Sequence, residues 1–368
     1  MKIVCVHQSS ELYGSDRSFL AAVEAMAKNH PESSEIEVVI PDHGPLVDLI
    51  AAAGGSVVYE PQGYLRRSLL RTPVAFVIGL LAAAGRLRRK FRNADLVYVN
   101  TLVCASALLA CVFTARAARK VLHVREIPGP RELALFRVLI RLSGAEVVYN
   151  SIATMKALGL PGTVIYNGVP GPFEAAGEDL AAGELRLLMI GRINAWKGQK
   201  FLLEALSSSS RRIQLRIVGS AIDAQIHLVK ELRELAKTMP ETFQCDFFEF
   251  CEDPSEHYRW CNYVVVPSTS PEPFGRVAIE GLSYGKPVVA AGHGGLLEII
   301  SDEKDGFIFC PGDHGHLLKI ITMLPDTRSS DYVELSKAAH QTFSSRFSSE
   351  SYSRQIVSLL PHSAGGRG

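Results

Sequence analysis

Residues 263–280 read YVVVPSTSPEPFGRVAIE, an apolar run, a proline-rich loop and an amphipathic segment that continues to Tyr284. The run Tyr263–Val266 predicts a buried strand, and residues 274–284 predict a helix. Pro273 suits the first turn of that helix, and Gly275 lets the backbone approach a ligand closely. This order of strand, loop and helix indicates a parallel α/β sheet whose ligand loop lies at the carboxyl end of a strand.

The same alternation runs through the rest of the chain. Short β-branched runs and helical segments alternate over residues 3–166 and again after residue 185, which predicts two doubly wound α/β domains. The length of 368 residues agrees, at ~150 residues per domain. The predicted organisation is an N-terminal domain at 1–166, a hinge at 167–184, a C-terminal domain at 185–345, a helix at 346–362 that packs back on the N-terminal domain, and a disordered tail at 363–368.

Composition excludes several classes of protein. The formal net charge of +1 argues against a general nucleic-acid binder, so no nucleic-acid partner is expected. The seven cysteines contain no C-x-x-C pair, so neither a disulfide framework nor a metal site is predicted. Polar residues directly follow Lys2–Val6, and the apolar run 73–85 is shorter than the ~20 residues that span a bilayer. We therefore expect a cytoplasmic protein.

One segment has a concentrated positive charge. Residues 61–141 contain fifteen Lys or Arg against three acids, a net charge of +12. Within it, residues 64–92 form a long basic and apolar insertion, in which the run 86–92 is typical of a helix on an anionic membrane surface. The alternative is an ordinary solvated helix above a buried segment 73–84. Both interpretations stay open, as does a soluble anionic acceptor.

A glycine-bounded loop earlier in the chain carries cations. Gly191, Arg192, Lys197 and Gly198 follow the predicted strand 185–190 and precede a helix. Two cations at a strand end between glycines favour a phosphate site, and the alternative is a solvated basic loop. In the proline-rich loop, the amides of Phe274, Gly275 and Arg276 at a helix start are also suited to an anion.

Two carboxylates accompany these loops. Glu272 lies in the loop and Glu280 about two turns into the helix, so the two cannot flank one bond as the carboxylates of a glycoside hydrolase do. They are instead suited to holding two ends of one long polar ligand.

Residues 185–312 resemble the retaining nucleotide-sugar glycosyltransferases of glycosyltransferase family 4. The resemblance rests on the Gly-Arg…Lys-Gly loop, the pair Glu272 and Glu280, and the segments Gly285–Val289 and Gly294–Glu298, followed by Asp305-Gly306 and Pro311–Asp313. It implies a GT-B fold, with two Rossmann-like domains facing across a cleft. No metal or other cofactor is implied, because two cations offset the leaving diphosphate and the sequence contains no Asp-x-Asp motif.

The resemblance also implies a role for each matching residue. Arg192 and Lys197 would bind the donor diphosphate beside Gly191, and Glu280 the ribose hydroxyls. Glu272 and the adjoining backbone at Phe274, Gly275, Arg276 and Val277 would hold the donor sugar.

The N-terminal domain resembles the family more loosely. Asn167-Gly168-Val169 matches the usual hinge motif, and Gly14-Ser15 stands where the family often has two glycines, so Gly14 would meet the diphosphate. His123 matches the histidine near the transferred sugar. A lone histidine at a strand end is otherwise more often structural.

The expected activity is hexose transfer from a UDP- or GDP-sugar to a hydroxyl of a glycan or lipid-linked acceptor, in surface polysaccharide or glycolipid synthesis. The resemblance implies retention of anomeric configuration, with His123, Glu272, Arg192 and Lys197 as the catalytic group. The rivals are a catalytically inactive nucleotide-sugar-binding subunit and a GT-B epimerase or phosphorylase. An anionic membrane surface on the inner face of the cytoplasmic membrane is a further candidate partner.

Overall fold

The computed structural model describes residues 1–29, 35–65, 73–114, 118–174, 184–222 and 225–361. The predicted tail at 363–368, most of the predicted hinge (175–183), and the basic residues Arg66, Arg67, Arg71 and Arg116 lie outside the described residues. The chain divides into two compact units, Met1–Gly168 with the chain from Ser349 onward, and Val169–Ser348.

The first unit is built on a parallel sheet. Its strands are β1 (Lys2–Val6), β2 (Glu35–Ile40), β3 (Ser56–Tyr59), β4 (Leu96–Asn100), β5 (Arg119–Val124), β6 (Glu146–Tyr149) and β7 (Thr163–Val164). Their order in the sheet is β3-β2-β1-β4-β5-β6-β7. Its helices are α1 (Gly14–Lys28), α2 (Leu46–Ala52), α3 (Pro73–Phe91), α4 (Ala105–Val112), α5 (Pro130–Ser143), α6 (Ile152–Leu158) and, returning from the end of the chain, α14 (Ser349–Val357).

Helices cover both faces of this sheet. Along β1, Ile3 and Cys5 join one apolar cluster with α1, α2 and α14, whereas Val4 and Val6 join another with α3, α4, α5 and α6. The alternation follows from the two-residue period of a strand. Helices α3, α4 and α5 therefore form one layer on the same face, with α4 touching both of its neighbours.

The second unit repeats the plan. Its strands are β8 (Glu184–Ile190), β9 (Arg212–Val218), β10 (Phe243–Phe248), β11 (Tyr263–Val266), β12 (Val288–Ala291) and β13 (Gly306–Phe309), in the order β10-β9-β8-β11-β12-β13. Its helices are α7 (Gln199–Leu206), α8 (Ile226–Lys237), α9 (Ser255–Trp260), α10 (Arg276–Ser283), α11 (Leu296–Ile299), α12 (His314–Met323) and α13 (Ser330–Arg346). The predicted pair of doubly wound parallel-sheet domains is confirmed. Among the described residues, no helix has both the length and the apolar character to cross a bilayer.

Two local differences from the sequence prediction affect the site. Helix α10 begins at Arg276 rather than Phe274, because Gly275 has a φ of +117°, which a helix does not allow. Helix α9 was not predicted. Its six residues are too few to show a helical period.

Candidate active site

Two loops of the second unit begin where its strand order reverses. Strands β8 and β11 are neighbours in the sheet, although β9 follows β8 along the chain. Open α/β sheets bind ligands outside the carboxyl ends of strands at such a reversal. Residues 191–198 follow β8 and residues 267–275 follow β11, so both predicted ligand loops start at this position.

Close backbone contacts join the two loops. Gly198 has a φ of +87°, and a Cβ atom there would lie 2.0 Å from the carbonyl oxygen of Pro267. The backbone N–H of Thr269 donates to the carbonyl of Trp196 at 2.8 Å. Within the first loop, the backbone N–H of Lys197 donates to Asn194 Oδ1 at 2.9 Å. These contacts fix the backbone of the first loop against the second.

The side chain of Lys197 crosses to the second loop and reaches Glu272. Lys197 Nζ lies 2.6 Å from Glu272 Oε1, and the Ser268 hydroxyl donates to the same oxygen at 2.6 Å. The ammonium also lies 4.5 Å from the centroid of the Trp196 ring. The side chain of Glu272 is 6% exposed and that of Lys197 is 22% exposed. A nearly buried carboxylate is thus paired with a cation that an incoming anion can still reach.

A third loop, after β12, supports the backbone around Glu272. A Cβ atom on Gly294 would lie 2.3 Å from the Glu272 carbonyl oxygen, so only a glycine fits. That carbonyl accepts a hydrogen bond from the Gly295 N–H at 2.8 Å. His293 Nε2 lies 2.8 Å from the Ser268 carbonyl oxygen, to which it donates. Because Ser268 in turn binds the Glu272 carboxylate, this third loop holds the carboxylate and its backbone together.

Helix α10 starts directly after this turn. Gly275 is its N-cap residue, Arg276 and Val277 lie in its first turn, and Phe274 is buried just before it. The first N–H groups of a helix have no partner inside the helix, and the helix dipole adds partial positive charge there. The start of α10 and Lys197 therefore both favour an anion beside Glu272.

Glu280 lies one turn further along α10. Arg276 Nε donates to Glu280 Oε1 at 2.7 Å, and the hydroxyl of the buried Tyr258 donates to Oε2 at 2.7 Å. Tyr258 of α9 and Arg276 of α10 each hold one of the two carboxylate oxygens. Glu272 and Glu280 therefore belong to two separate polar clusters.

The remaining predicted donor residues of this unit lie at the end of β8. Gly191 has a φ of +151°, and a Cβ atom on the neighbouring Gly219 would lie 2.1 Å from the Gly191 carbonyl oxygen. Arg192 follows it and is exposed, with its carbonyl accepting a hydrogen bond from Gln199 at 3.1 Å.

In the first unit, His123 is fully buried near the end of β5. The Tyr98 hydroxyl donates to His123 Nδ1 at 2.6 Å, and a guanidinium nitrogen of Arg125 lies 3.3 Å from the same atom. An accepting Nδ1 places the proton on Nε2. That nitrogen is buried and has no hydrogen-bond partner among the described residues. Burial, and then the charge of Arg125, hold the pKa of His123 well below its ordinary value, so the ring is neutral and offers an N–H donor.

Arg125 is buried beside His123 and connects three parts of the first unit. Its Nε donates to Asn100 Oδ1 at 2.6 Å, and its other nitrogens donate to Asn167 Oδ1 and, at 2.9 Å, to the Tyr352 hydroxyl on α14. The histidine is therefore held by the same cation that binds the first residue of the Asn-Gly-Val motif.

A chain of hydrogen bonds continues from Arg125 to the start of α1. Asn100 Nδ2 donates to His7 Nδ1 at 2.8 Å, and His7 Nε2 donates to Asp16 Oδ1 at 2.8 Å. The other oxygen of Asp16 accepts from the backbone N–H of Tyr13, directly before Gly14. Gly14 is the first residue of α1.

The structure brings together Lys197 with Glu272, and Arg276 with Glu280, while Gly14 and His123 lie in the other unit. Three residues important to these clusters were not predicted. Ser268 lies two residues beyond β11, and a hydroxyl at that strand end is a signal that could have indicated it. Tyr258 and Arg125 had no such signal, because Glu280, the partner of Tyr258, and most partners of Arg125 are distant in sequence.

Residues 173–342 match the family model described as Glycosyl transferases group 1. A D-inositol 3-phosphate glycosyltransferase of Geodermatophilus obscurus is 33% identical over 159 residues, which cover 40% of this chain and 35% of that protein. One of Gordonia bronchialis is 30% identical over 265 residues, covering 67% of this chain and 57% of that protein. The chain thus spans between about a third and three-fifths of the length of these curated relatives.

Among solved structures, Anabaena Alr3699/HepE in complex with UDP is similar over 98% of this chain and 99% of its own, with a TM-score of 0.80 and 24% identity. The same protein has also been crystallised with UDP-glucose. This similarity, together with the two doubly wound sheets, identifies the fold as GT-B. Residues 173–342 carry the glycosyltransferase group 1 signature and include every predicted donor residue except Gly14.

Proposed function

We propose that this chain is a glycosyltransferase that moves a hexose from a nucleoside-diphosphate sugar to an acceptor hydroxyl. The observation that carries the proposal is the Lys197–Glu272 pair at the strand reversal of the second unit, beside the start of α10. A cation, a helix start and a fixed carboxylate suit a ligand with a diphosphate at one end and sugar hydroxyls next to it.

The proposed donor contacts follow this arrangement. Lys197 and the exposed Arg192 bind the diphosphate, with the backbone at Gly191 and at the start of α10. Glu272 accepts hydrogen bonds from the sugar, and Glu280 from the ribose. The Nε2–H of His123 donates to a hydroxyl of the transferred sugar, and the backbone near Gly14 contacts the diphosphate. The assignment of Glu272 to the sugar and Glu280 to the ribose, and the roles of His123 and Gly14, rest on the family resemblance.

The proposed reaction is a front-face displacement with retained anomeric configuration. The acceptor oxygen forms a bond to C1 of the sugar while the bond from C1 to the β-phosphate oxygen breaks. The proton of the acceptor hydroxyl passes to a phosphate oxygen of the leaving nucleoside diphosphate. Lys197 and Arg192 offset the charge that grows on this leaving group, and preorganised charges of this kind are usually the largest single contribution to catalysis. We therefore propose that transfer needs no metal ion.

The proposed donor is a UDP- or GDP-sugar and the proposed acceptor a glycan or lipid-linked hydroxyl. Such a reaction fits surface polysaccharide or glycolipid synthesis in the cytoplasm, at the inner face of the membrane. The Anabaena protein crystallised with UDP-glucose makes that sugar nucleotide the first donor to test.

The test has two stages. Thermal unfolding with a panel of UDP-, GDP- and dTDP-sugars identifies the donor, because a ligand at 100 times its Kd stabilises the folded state by ~2.7 kcal/mol. Turnover with that donor and NMR of the product then report transfer and anomeric configuration. Binding without turnover favours an inactive sugar-nucleotide-binding subunit, and conversion of the sugar nucleotide without an acceptor favours an epimerase. A panel without any stabilising nucleotide contradicts the proposal.

A further inference from the structure

Helix α3 of the first unit presents large apolar side chains to solvent. Val74, Val77, Ile78 and Leu81 are all exposed, Val74 by 72% and Ile78 by 63%. Their spacing of three and four residues places them on one side of the first half of the helix, whereas the buried Ala84, Leu87 and Phe91 lie in its second half. The sequence alternative of a buried segment 73–84 is therefore wrong for these four residues, whereas Ala83 and Ala84 at its end are buried.

A second apolar stripe lies on the same layer of helices. Leu135, Val138 and Leu142 of α5 are 68%, 53% and 63% exposed and share one face of that helix. Between the two stripes, Phe113 at the end of α4 is 58% exposed. Because α3, α4 and α5 cover the same side of the sheet, their outward faces belong to one surface, which we call the α3–α5 face. Isolated exposed apolar residues are ordinary, but a group of this size marks an interaction site.

The charges on the α3–α5 face are nearly all positive. Helices α3 and α4 contain no acidic residue, and α5 contains one, Glu132. On α3 the apolar face continues into the exposed Arg88 and Arg89, and α5 carries the exposed Arg131 and Arg141.

The structure also shows which cations of the basic window do not belong to this face. Arg86 binds Glu60 with Nε at 2.7 Å, and Lys90 binds Glu37 at 2.7 Å. Lys120 and Arg125 are buried. Part of the positive charge of residues 61–141 is therefore neutralised inside the unit, whereas the exposed Arg88, Arg89, Arg131 and Arg141 lie on the two helices that carry the apolar stripes.

We propose that the α3–α5 face docks on an anionic lipid surface. Amphipathic helices that lie in a membrane interface combine an apolar face with Arg or Lys at its border, so that the apolar residues enter the headgroup region and the cations meet anionic lipids. Helix α3, with its 19 residues, is ~28 Å long and can lie along such a surface.

Charge argues against a second copy of this chain as the occupant. In a two-fold dimer the same patch meets itself, so the arginines of one copy would face those of the other. Like charges in such a contact oppose association. A lipid surface with negative headgroups has the complementary charge and accepts apolar side chains beside it. This proposal does not rest on the proposed glycosyl transfer, because docking needs no sugar nucleotide.

The test is co-sedimentation of the full chain with vesicles, without sugar nucleotide. Vesicles of phosphatidylcholine with phosphatidylglycerol should bind the protein, vesicles of phosphatidylcholine alone should bind little, and added salt should weaken binding. Ile78→Gln with Leu81→Gln, and separately Arg89→Gln with Arg131→Gln, should each lower the partition coefficient roughly tenfold or more.

Matched controls come from the second unit. Ile226→Gln replaces an apolar residue that is 60% exposed on α8, and Lys200→Gln with Lys237→Gln removes two exposed charges. These controls should leave vesicle binding unchanged, and circular dichroism verifies that every variant is folded. The proposal is overturned by equal effects of test and control variants, by absence of vesicle binding, or by a dimer in solution that the Ile78→Gln, Leu81→Gln variant converts to monomer. A protein that binds vesicles as expected but transfers no sugar would leave this proposal standing and contradict the proposed function.

Discussion

The ammonium nitrogen of Lys197 lies 2.6 Å from Oε1 of Glu272, across two loops that are 75 residues apart in the chain. Ser268 binds the same oxygen, so the carboxylate is fixed before any ligand arrives. A bound diphosphate would add a second anion beside Lys197 rather than meet an uncompensated cation. The proposed phosphate-binding and sugar-binding groups are therefore coupled through this contact.

Replacement of the cation tests the diphosphate assignment. Lys197→Gln should lower kcat roughly 100-fold or more, because the charge on the leaving group grows in the transition state. Lys200→Gln, which removes an exposed charge on α7, serves as the control and should leave kcat unchanged. Steady-state kinetics with the identified donor measures both. EDTA should have no effect on the wild-type rate. A rate that EDTA abolishes and Mn²⁺ restores would contradict the metal-independent mechanism.

The two carboxylates should separate binding from turnover. Glu280→Gln should weaken binding of free nucleotide roughly tenfold or more, because ribose contacts are made in both ground and transition states. Glu272→Gln should lower turnover while nucleotide affinity stays within a few-fold, because its proposed ligand is the sugar. Isothermal titration with free nucleotide, alongside turnover assays, measures the difference. If the affinity for free nucleotide falls far more in Glu272→Gln than in Glu280→Gln, the two assignments are wrong.

The sequence predicted the sheets better than the contacts between loops. Every strand from β8 to β13 was predicted from the sequence, most of them as the short apolar runs that are typical of a buried parallel sheet. These runs do not determine which strands pair with each other, so the sequence could not show that β8 and β11 are neighbours. Motif resemblance identified Lys197 and Glu272 separately, and the pairing of their side chains emerged only from the structure.

The network around His123 was beyond sequence reasoning for a related reason. Its members His7, Asn100, Arg125 and Tyr352 come from four elements spread over the whole first unit and its returning helix. Each taken alone is an ordinary polar residue. Buried polar groups of this kind are stable only when all of their hydrogen bonds are satisfied together. A short stretch of sequence does not show whether distant residues supply these partners.

Two glycines with similar φ angles allow a test of the contact between the loops. Gly198 and Gly312 have φ values of +87° and +78°, but a Cβ on Gly198 would lie 2.0 Å from the Pro267 carbonyl oxygen, whereas nothing lies within 4 Å of one on Gly312. Gly312→Ala should cost about 1–2 kcal/mol from backbone strain alone. Gly198→Ala should cost clearly more and also weaken donor binding. Thermal unfolding of both variants is the measurement, and equal losses would show that the close approach to Pro267 does not matter.

The pH dependence of stability tests the buried state of His123. Its pKa in the folded protein lies well below the ordinary value of about 6.5, because of burial and then Arg125, so the unfolded chain binds a proton more readily. The resulting stability is fully present above about pH 6.5 and is lost as pH falls toward the lowered pKa, at up to about 1.4 kcal/mol per pH unit. His123→Gln removes this contribution. The free energy of unfolding of the wild type should therefore fall more steeply than that of the variant as pH decreases below about 6.5.

The difference between the unfolding free energies of the wild type and the His123→Gln variant isolates the contribution of His123 from those of the other buried groups that titrate in this range. His7, whose pKa burial also lowers, and Glu126, whose pKa burial raises to about 7, are present in both proteins and cancel in the difference. Denaturant unfolding at several pH values measures it, and His227→Gln on the exposed face of α8 is the control, since its ring meets water in both states. A difference that stays constant with pH would mean that the pKa of His123 is the same in the folded and unfolded states. That result would contradict the neutral Nε2–H donor proposed for the transferred sugar.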